Sequence, residues 1–113
     1  MWIFLPTGGF LSIVKKPEDA ARGTVTIRAR VKADLIELRE HFLPALGSIG
    51  SAAGTDYPHR AVVLAADFEQ AMAAMARAVT YSNFKSEVGR VKGSGRARVY
   101  HLVWSLLLKL QRP

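Results

Sequence analysis

The stretch that decides the fold is Thr-Val-Thr-Ile-Arg-Ala-Arg-Val-Lys, residues Thr24 to Lys32. Apolar and polar side chains alternate along it, which is typical of a β-strand with one buried and one solvated face. Strands of this kind belong to antiparallel sheets. The polar face carries three cations, Arg28, Arg30 and Lys32. They fit either a solvated face that discourages aggregation or a surface that follows nucleic-acid phosphates.

Upstream of this strand, two short runs rich in aromatic and β-branched residues predict a β-hairpin. Its strands are Trp2–Leu5 and Phe10–Val14. The four residues between them, Pro6 to Gly9, contain the proline and glycines that tight turns use. A polar connection follows, with one helical turn after Pro17.

Downstream, the pattern predicts two helices and one more strand before the C-terminal helix. Capping-box patterns that begin at Asp34 and Asp67 predict helices over residues 35–43 and 68–80. The run over residues 59–64 is apolar towards its end and indicates the fourth strand.

Together these elements predict one α+β domain over residues 1–113. The predicted element order is ββ-β-α-β-α-α, with a four-stranded, mainly antiparallel sheet and the helices packed on one face. Half of the residues are hydrophobic, which supports a folded core, and the absence of cysteine excludes disulfides and Cys-based zinc sites. No secretory signal or membrane-spanning run is recognised, so we expect a cytoplasmic protein without a membrane partner.

Positive charge is concentrated near the C-terminus. The net charge is +7, and from Lys85 onward seven Lys or Arg against one acid account for +6 of it. Such a segment favours an acidic partner, either nucleic acid or an acidic protein surface, although a basic surface that only maintains solubility is the plainer alternative. We assign phosphate contacts to the basic residues of this segment and of the strand, namely Arg28, Arg30, Lys32, Lys85, Arg90, Lys92, Arg96 and Arg98.

A glycine-rich basic run, Lys92 to Arg96, precedes the last helix. It is either a flexible hinge between helices or a phosphate-binding loop that uses backbone N–H groups and the helix N-terminus. Tyr57, Tyr81 and Phe84 carry rings that either stack on unpaired bases or close the core.

The last helix, residues 99–110, has apolar side chains on two faces. A surface that wide is either buried on most sides or shared with another chain. We expect a homodimer interface there, formed by Val99, Tyr100, Val103, Trp104, Leu107 and Leu108.

Sequence signals for catalysis are few. The three histidines lie on separate elements without metal-binding spacing, so neither a metal nor another cofactor is predicted. His59, near Asp56 and Tyr57, is a candidate acid–base group for a small metal-independent ribonuclease.

Several short motifs are distributed along the chain. They are Met1-Trp2-Ile3-Phe4, Phe10-Leu11-Ser12-Ile13-Val14, Asp56-Tyr57 with Arg60-Ala61, Tyr81-Ser82-Asn83-Phe84-Lys85, and Tyr100 with Val103-Trp104-Ser105. Together they resemble a family of small proteins from bacterial and phage genomes. The resemblance covers most of the chain and departs at residues 45–54 and 91–98. The resemblance implies an accessory protein, either of a mobile element or with a housekeeping role. It assigns no catalytic residue to this chain. Small phage proteins of this size include anti-CRISPR inhibitors of host nucleoproteins.

The leading hypothesis from the sequence is a non-enzymatic, basic binding protein that contacts nucleic acid or a nucleoprotein complex. One alternative is an inhibitor, anti-CRISPR-like or antitoxin-like, that binds an acidic protein surface through the last helix. The other alternative is the ribonuclease centred on His59.

Overall fold

A five-stranded sheet is the centre of the first part of the chain. The computed structural model describes residues 1–112, and the strands are β1 Trp2–Leu5, β2 Gly9–Val14, β3 Thr24–Ala29, β4 Gly50–Ser51 and β5 His59–Leu64. They lie in the order β1-β2-β3-β5-β4, and every neighbouring pair is antiparallel. The α+β class and the antiparallel sheet are therefore confirmed. The strands number five rather than four, because Gly50–Ser51 adds a short edge strand to β5.

The chain divides into two compact units, the first spanning Met1–Thr80 and the second beginning at Tyr81. The sheet belongs to the first unit, together with the helices α1 Pro17–Arg22, α2 Lys32–His41 and α3 Ala65–Arg77. That residues 1–113 form a single domain stays a prediction. Pro113 lies outside the described residues.

The N-terminal hairpin forms as predicted, with Trp2 opposite Ser12 and Leu5 opposite Gly9. The second strand begins at Gly9, one residue earlier than expected, which leaves a three-residue loop. Gly9 has a φ of 69°, in the left-handed region that favours glycine. A Cβ atom added to it would lie 2.2 Å from the carboxyl group of Asp34, so this site needs glycine for space as well as for conformation.

The decisive strand ends earlier than its sequence pattern indicates. β3 stops at Ala29, and α2 begins at Lys32 instead of Leu35. Asp34 therefore lies in the first turn of α2, and the prediction that it caps the helix is wrong. Its buried carboxylate instead accepts a hydrogen bond from the backbone N–H of Phe10 at 3.1 Å. The Asp34 carboxylate, which the sequence pattern assigned to a local helix cap, thus binds the backbone of a distant strand.

The hydrophobic core lies on one face of the sheet, covered by α2 and α3. Ile27, Ala61 and Val63 project from the central strands towards Leu38 and Phe68 of those helices. The last helix of this unit begins at Ala65 and ends at Arg77, so the start predicted from Asp67 is three residues late. Leu64 at the end of β5 takes the N-cap position, because strand and helix follow each other without a loop.

The short helix α1 is anchored on the other side of β3. Asp19 is buried and accepts hydrogen bonds from the hydroxyl groups of Thr24 at 2.6 Å and Thr26 at 2.8 Å. These two threonines alternate with the core residues Val25 and Ile27, so their side chains lie on the opposite face of the strand. Hydrogen bonding to Asp19 explains why this end of the polar face is buried rather than solvated.

The second unit consists of two helices and a short 3₁₀ turn. They are α4 Phe84–Lys92, α5 Ser94–Leu107 and the turn Leu108–Gln111. Asn83 caps α4 by accepting a hydrogen bond from the N–H of Ser86 at 2.9 Å. The connection in the glycine-rich run is shorter than its sequence suggests, because Gly93 alone, at a φ of 96°, separates the helices, and α5 begins at Ser94 rather than at Val99. The basic residues on either side of Gly93 are helical.

Candidate nucleic-acid-binding face of the sheet

Residues that alternate with the core positions form the outer face of the sheet. The strand register places Trp2, Ser12, Arg28 and Arg60 in one row across β1, β2, β3 and β5. Phe4 and Phe10 form the neighbouring row across β1 and β2. One face of the sheet therefore combines aromatic rings with guanidinium groups.

Three aromatic rings of the hairpin contact one another on this face. Phe4 and Phe10 are stacked with centroids 4.7 Å apart, and Trp2 meets Phe10 edge-on at 5.6 Å. Trp2 is 65% exposed, although a tryptophan is the side chain that gains most from burial. Most of the Trp2 side chain is therefore accessible to a ligand.

Tyr57 organises the arginines beside these rings. It precedes β5 and lies 6.3 Å from Phe10 between ring centroids. The guanidinium carbons of Arg28 and Arg30 lie 4.5 and 4.9 Å from the Tyr57 centroid, which is the geometry of cation–π contacts. Arg60 donates from Nε to the carbonyl oxygen of Tyr57 at 3.1 Å. Tyr57 itself is buried, so its ring acts here as a support for cations.

We call this set of residues the aromatic–arginine face; it comprises Trp2, Phe4, Phe10, Arg28, Arg30, Tyr57 and Arg60. Asp56 precedes Tyr57, and its carboxylate accepts a hydrogen bond from the N–H of Tyr57. Arg28 donates to the hydroxyl of Ser12 at 2.8 Å, and within residues 1–112 its buried Nε has no hydrogen-bond acceptor. The arginines are thus held by rings and neutral oxygens, which leaves their charge available to an anion.

The structure brings together two of the three cations predicted on the strand. Arg28 and Arg30 share the ring of Tyr57. Lys32 does not join them, because β3 has already ended and Lys32 is the first residue of α2. The alternation of apolar and polar residues in the sequence continues beyond Ala29, but the extended backbone does not.

The predicted cations of the second unit are mostly engaged within that unit. Arg90 forms an ion pair with Glu87, donating from Nε to Oε1 at 2.9 Å, and this pairing lowers the pKa of the Glu87 carboxyl. Arg96 donates to the hydroxyl of Tyr100 at 3.1 Å. Lys85 lies 4.4 Å from the centroid of Trp104. Arg98 is exposed on α5, and Lys92 ends α4.

The aromatic members of the sheet face were missed as binding residues by sequence reasoning. Trp2, Phe4 and Phe10 lie in the predicted hairpin and alternate there with Ile3 and Leu11. Because neighbouring residues of a strand point to opposite faces, this alternation could have predicted an aromatic face opposite the core. Tyr57 was recognised only as one of two open alternatives, because its neighbours become apparent only when β5 pairs with β3.

His59 does not belong to the aromatic–arginine face. Its register partner is Ala29, a core residue, so its side chain lies on the side of the sheet opposite Arg60. There its Nδ1 is 2.9 Å from the hydroxyl oxygen of Ser51. Within residues 1–112, no cluster of three or more His, Asp or Glu is arranged to hold a metal ion. The ribonuclease alternative therefore rests on His59 and Ser51, without the arginines.

The interface residues predicted on the last helix have different environments. Tyr100 is buried and stacks on Phe84 with centroids 5.9 Å apart, and Val103 is half-buried. Val99, Trp104, Leu107 and Leu108 are exposed. Homodimerisation through this helix stays a prediction.

Comparison of the chain with family models, curated proteins and solved structures finds no match. No helix within residues 1–112 has both the length and the apolarity needed to cross a membrane.

Proposed function

We propose that the protein binds single-stranded nucleic acid through the aromatic–arginine face and catalyses no reaction on it. The observation that supports this proposal is the placement of an exposed tryptophan and three arginines on one side of an antiparallel sheet. Unpaired bases stack on aromatic rings and arginine planes, while the same arginines contact the phosphates. In a duplex the base faces are already stacked on each other, so a single strand is the better ligand.

The roles of the individual residues follow from their exposure. Trp2 supplies the open ring for a base, and Phe10 supports it edge-on. Arg30 is exposed and contacts phosphate, whereas Arg28 is half-buried and helps to hold Tyr57. No base-specific hydrogen bond is required in this arrangement, so we expect modest sequence preference.

A fluorescence-polarisation titration tests the proposal. Labelled single-stranded RNA, single-stranded DNA and a DNA duplex are titrated at low and at moderate salt. We expect the single strands to bind more tightly than the duplex, with affinity falling as salt rises. Equal or tighter duplex binding, or no binding at low salt, would contradict the assignment.

Two variants and one control locate the binding site. Trp2→Ala is expected to weaken single-strand binding roughly 5- to 150-fold, because stacking of one base contributes about 1–3 kcal/mol. Arg30→Gln is expected to lower the affinity for single strands and to make that affinity depend less steeply on salt concentration. Arg77→Gln removes the same charge from α3, which covers the opposite face, and should bind as the unchanged protein does. Unchanged binding by both Trp2→Ala and Arg30→Gln would exclude the sheet face.

A further inference from the structure

The second unit presents an apolar surface that the proposed nucleic-acid binding does not use. It lies along α5 and the 3₁₀ turn, and we call it the α5 surface. Its members are between 40% and 76% exposed and lie on two sides of the helix, Val99, Leu102 and Leu106 on one side and Trp104, Leu107 and Leu108 on the other, with Leu110 in the 3₁₀ turn. An exposed patch with this many large apolar side chains marks an interaction site in a folded protein.

The charges around this surface have one sign. Residues 94–112 contain four Lys or Arg and no Asp or Glu. Arg98 lies near the start of the surface, and Lys109 and Arg112 lie near its end; all three are exposed. Any partner that covers the apolar residues must also approach these cations.

Another cation lies beside the exposed tryptophan of this surface. The Nζ atom of Lys85 is 4.4 Å from the centroid of Trp104 and 3.1 Å from Nδ1 of His101, whose ring stacks on the same tryptophan at 5.5 Å. Both contacts are made with aromatic rings. An approaching carboxylate would pair with this ammonium group without first displacing an acid.

We propose that the α5 surface docks an amphipathic helical segment of a partner protein whose apolar side is flanked by Asp and Glu. Trp104, Leu107 and Leu108, spaced by three and four residues, accept the apolar side of such a segment. Carboxylates beside it meet Lys85, which lies against Trp104. The chain would then connect an acidic protein to a nucleic-acid strand.

Two other occupants fit the surface less well. A second copy would bring an acid-free helix against another acid-free helix, and like charges facing each other oppose pairing. An anionic membrane would accept the leucines, but it would draw the Lys85 ammonium beside Trp104 towards the acyl boundary, where charge is costly. An acidic protein segment satisfies both the apolar residues and the cations.

Two designed peptides test the docking directly. Both are helical with the same leucine face; one carries Glu along its flanks and the other carries Lys. Trp2→Phe protein is used as the reporter background, because Trp2 and Trp104 are the two tryptophans of the chain and only Trp104 then emits. We expect the Glu peptide to shift the Trp104 emission and to bind about tenfold or more tightly than the Lys peptide, since charge complementarity sets partner choice.

Variants in the same background assign this binding to the surface. Leu107 is 55% exposed and lies one helical turn from Trp104, so Leu107→Gln is expected to fold normally and to lose about tenfold in affinity for the Glu peptide. Val62→Gln makes a comparable change at a 43% exposed site on the sheet and should bind as the background protein does.

Three results would overturn the proposal. They are equal affinity for the two peptides, a concentration-dependent dimer mass that Leu107→Gln abolishes, and a Trp104 shift with phosphatidylserine vesicles larger than that with the Glu peptide. The peptide assay reports on Trp104 alone, and nucleic-acid binding is measured separately on the protein with Trp2 in place. Failure of peptide binding therefore leaves nucleic-acid binding standing, and failure of nucleic-acid binding leaves peptide binding standing.

Discussion

Arg28 and Tyr57 are in cation–π contact on the outer face of the sheet, with the guanidinium carbon 4.5 Å from the ring centroid. Arg30 lies 4.9 Å from the same centroid, so one buried tyrosine positions two cations. Ser12, a buried neutral hydroxyl, accepts the hydrogen bond from Arg28. Positive charge is therefore fixed in place without being neutralised, which is what an anion-binding face requires.

Tyr57→Leu is expected to weaken nucleic-acid binding even though Tyr57 is too buried to touch a ligand. Removing the ring frees both guanidinium groups, and the loss of buried surface and cation–π contacts should lower the free energy of unfolding by roughly 1–3 kcal/mol. Urea denaturation measures the stability, and polarisation titration below the unfolding transition measures the affinity. Tyr81→Leu, in the second unit, should leave affinity unchanged. Full affinity in Tyr57→Leu would show that the arginines need no support.

Arg30→Gln and Arg90→Gln remove the same charge but should differ in salt dependence. Arg30 faces solvent beside Tyr57, whereas Arg90 is paired with Glu87. Loss of one phosphate contact to a single strand is expected to flatten the slope of log affinity against log salt by about 0.7. Titrations over a range of salt concentrations should show this change for Arg30→Gln and little change for Arg90→Gln. The reverse order would place the phosphate contacts on α4.

Local pattern was sufficient for the fold class and for most strands. Alternation over residues 24–29 and the glycines between Leu5 and Phe10 predicted β3 and the hairpin, because strand period and turn chemistry are properties of neighbouring residues. The run at residues 59–64 was recognised for the same reason.

The remaining features depend on contacts between residues distant in sequence. Asp34 looked like a helix cap, but its carboxylate is used by the N–H of Phe10 on another element. The outer row Trp2, Ser12 and Arg28 exists only through strand register. Gly93 separates two helices where several glycines and cations suggested a longer loop, since one residue with positive φ is enough to end one helix and begin another.

Gly9→Ala is expected to be far more destabilising than Gly23→Ala. The two glycines have nearly the same φ, 69° and 65°, so the conformational strain of roughly 1 kcal/mol is common to both. A Cβ at Gly23 meets no atom within 4 Å, whereas at Gly9 it meets the Asp34 carboxyl at 2.2 Å. Moving Asp34 also breaks its hydrogen bond with Phe10, so we expect a total loss of about 3–4 kcal/mol for Gly9→Ala. Equal losses in urea denaturation would mean that Asp34 moves aside without cost.

Asp19 should make stability depend on pH in the acid range. Hydrogen bonds from the Thr24 hydroxyl, the Lys16 N–H and the Thr26 hydroxyl lower the pKa of the Asp19 carboxyl, with a smaller contribution from the charge of Arg22. Because the pKa is lower in the folded chain than in the unfolded one, the stabilisation is fully present above the unfolded pKa of about 3.9. It is lost as pH falls from there through the folded pKa.

Asp19→Asn tests this linkage. Asparagine cannot accept both threonine hydroxyls and the Lys16 N–H as a carboxylate does, because one of its two terminal groups is a donor. The variant should therefore melt at a lower temperature near pH 7, and its difference from the unchanged protein should narrow as pH falls towards about 3. Glu18→Gln makes the same charge change at the exposed neighbouring residue and should melt with the unchanged protein throughout. A melting difference for Asp19→Asn that stays constant over this range would show that the contribution of Asp19 does not come from its ionised form.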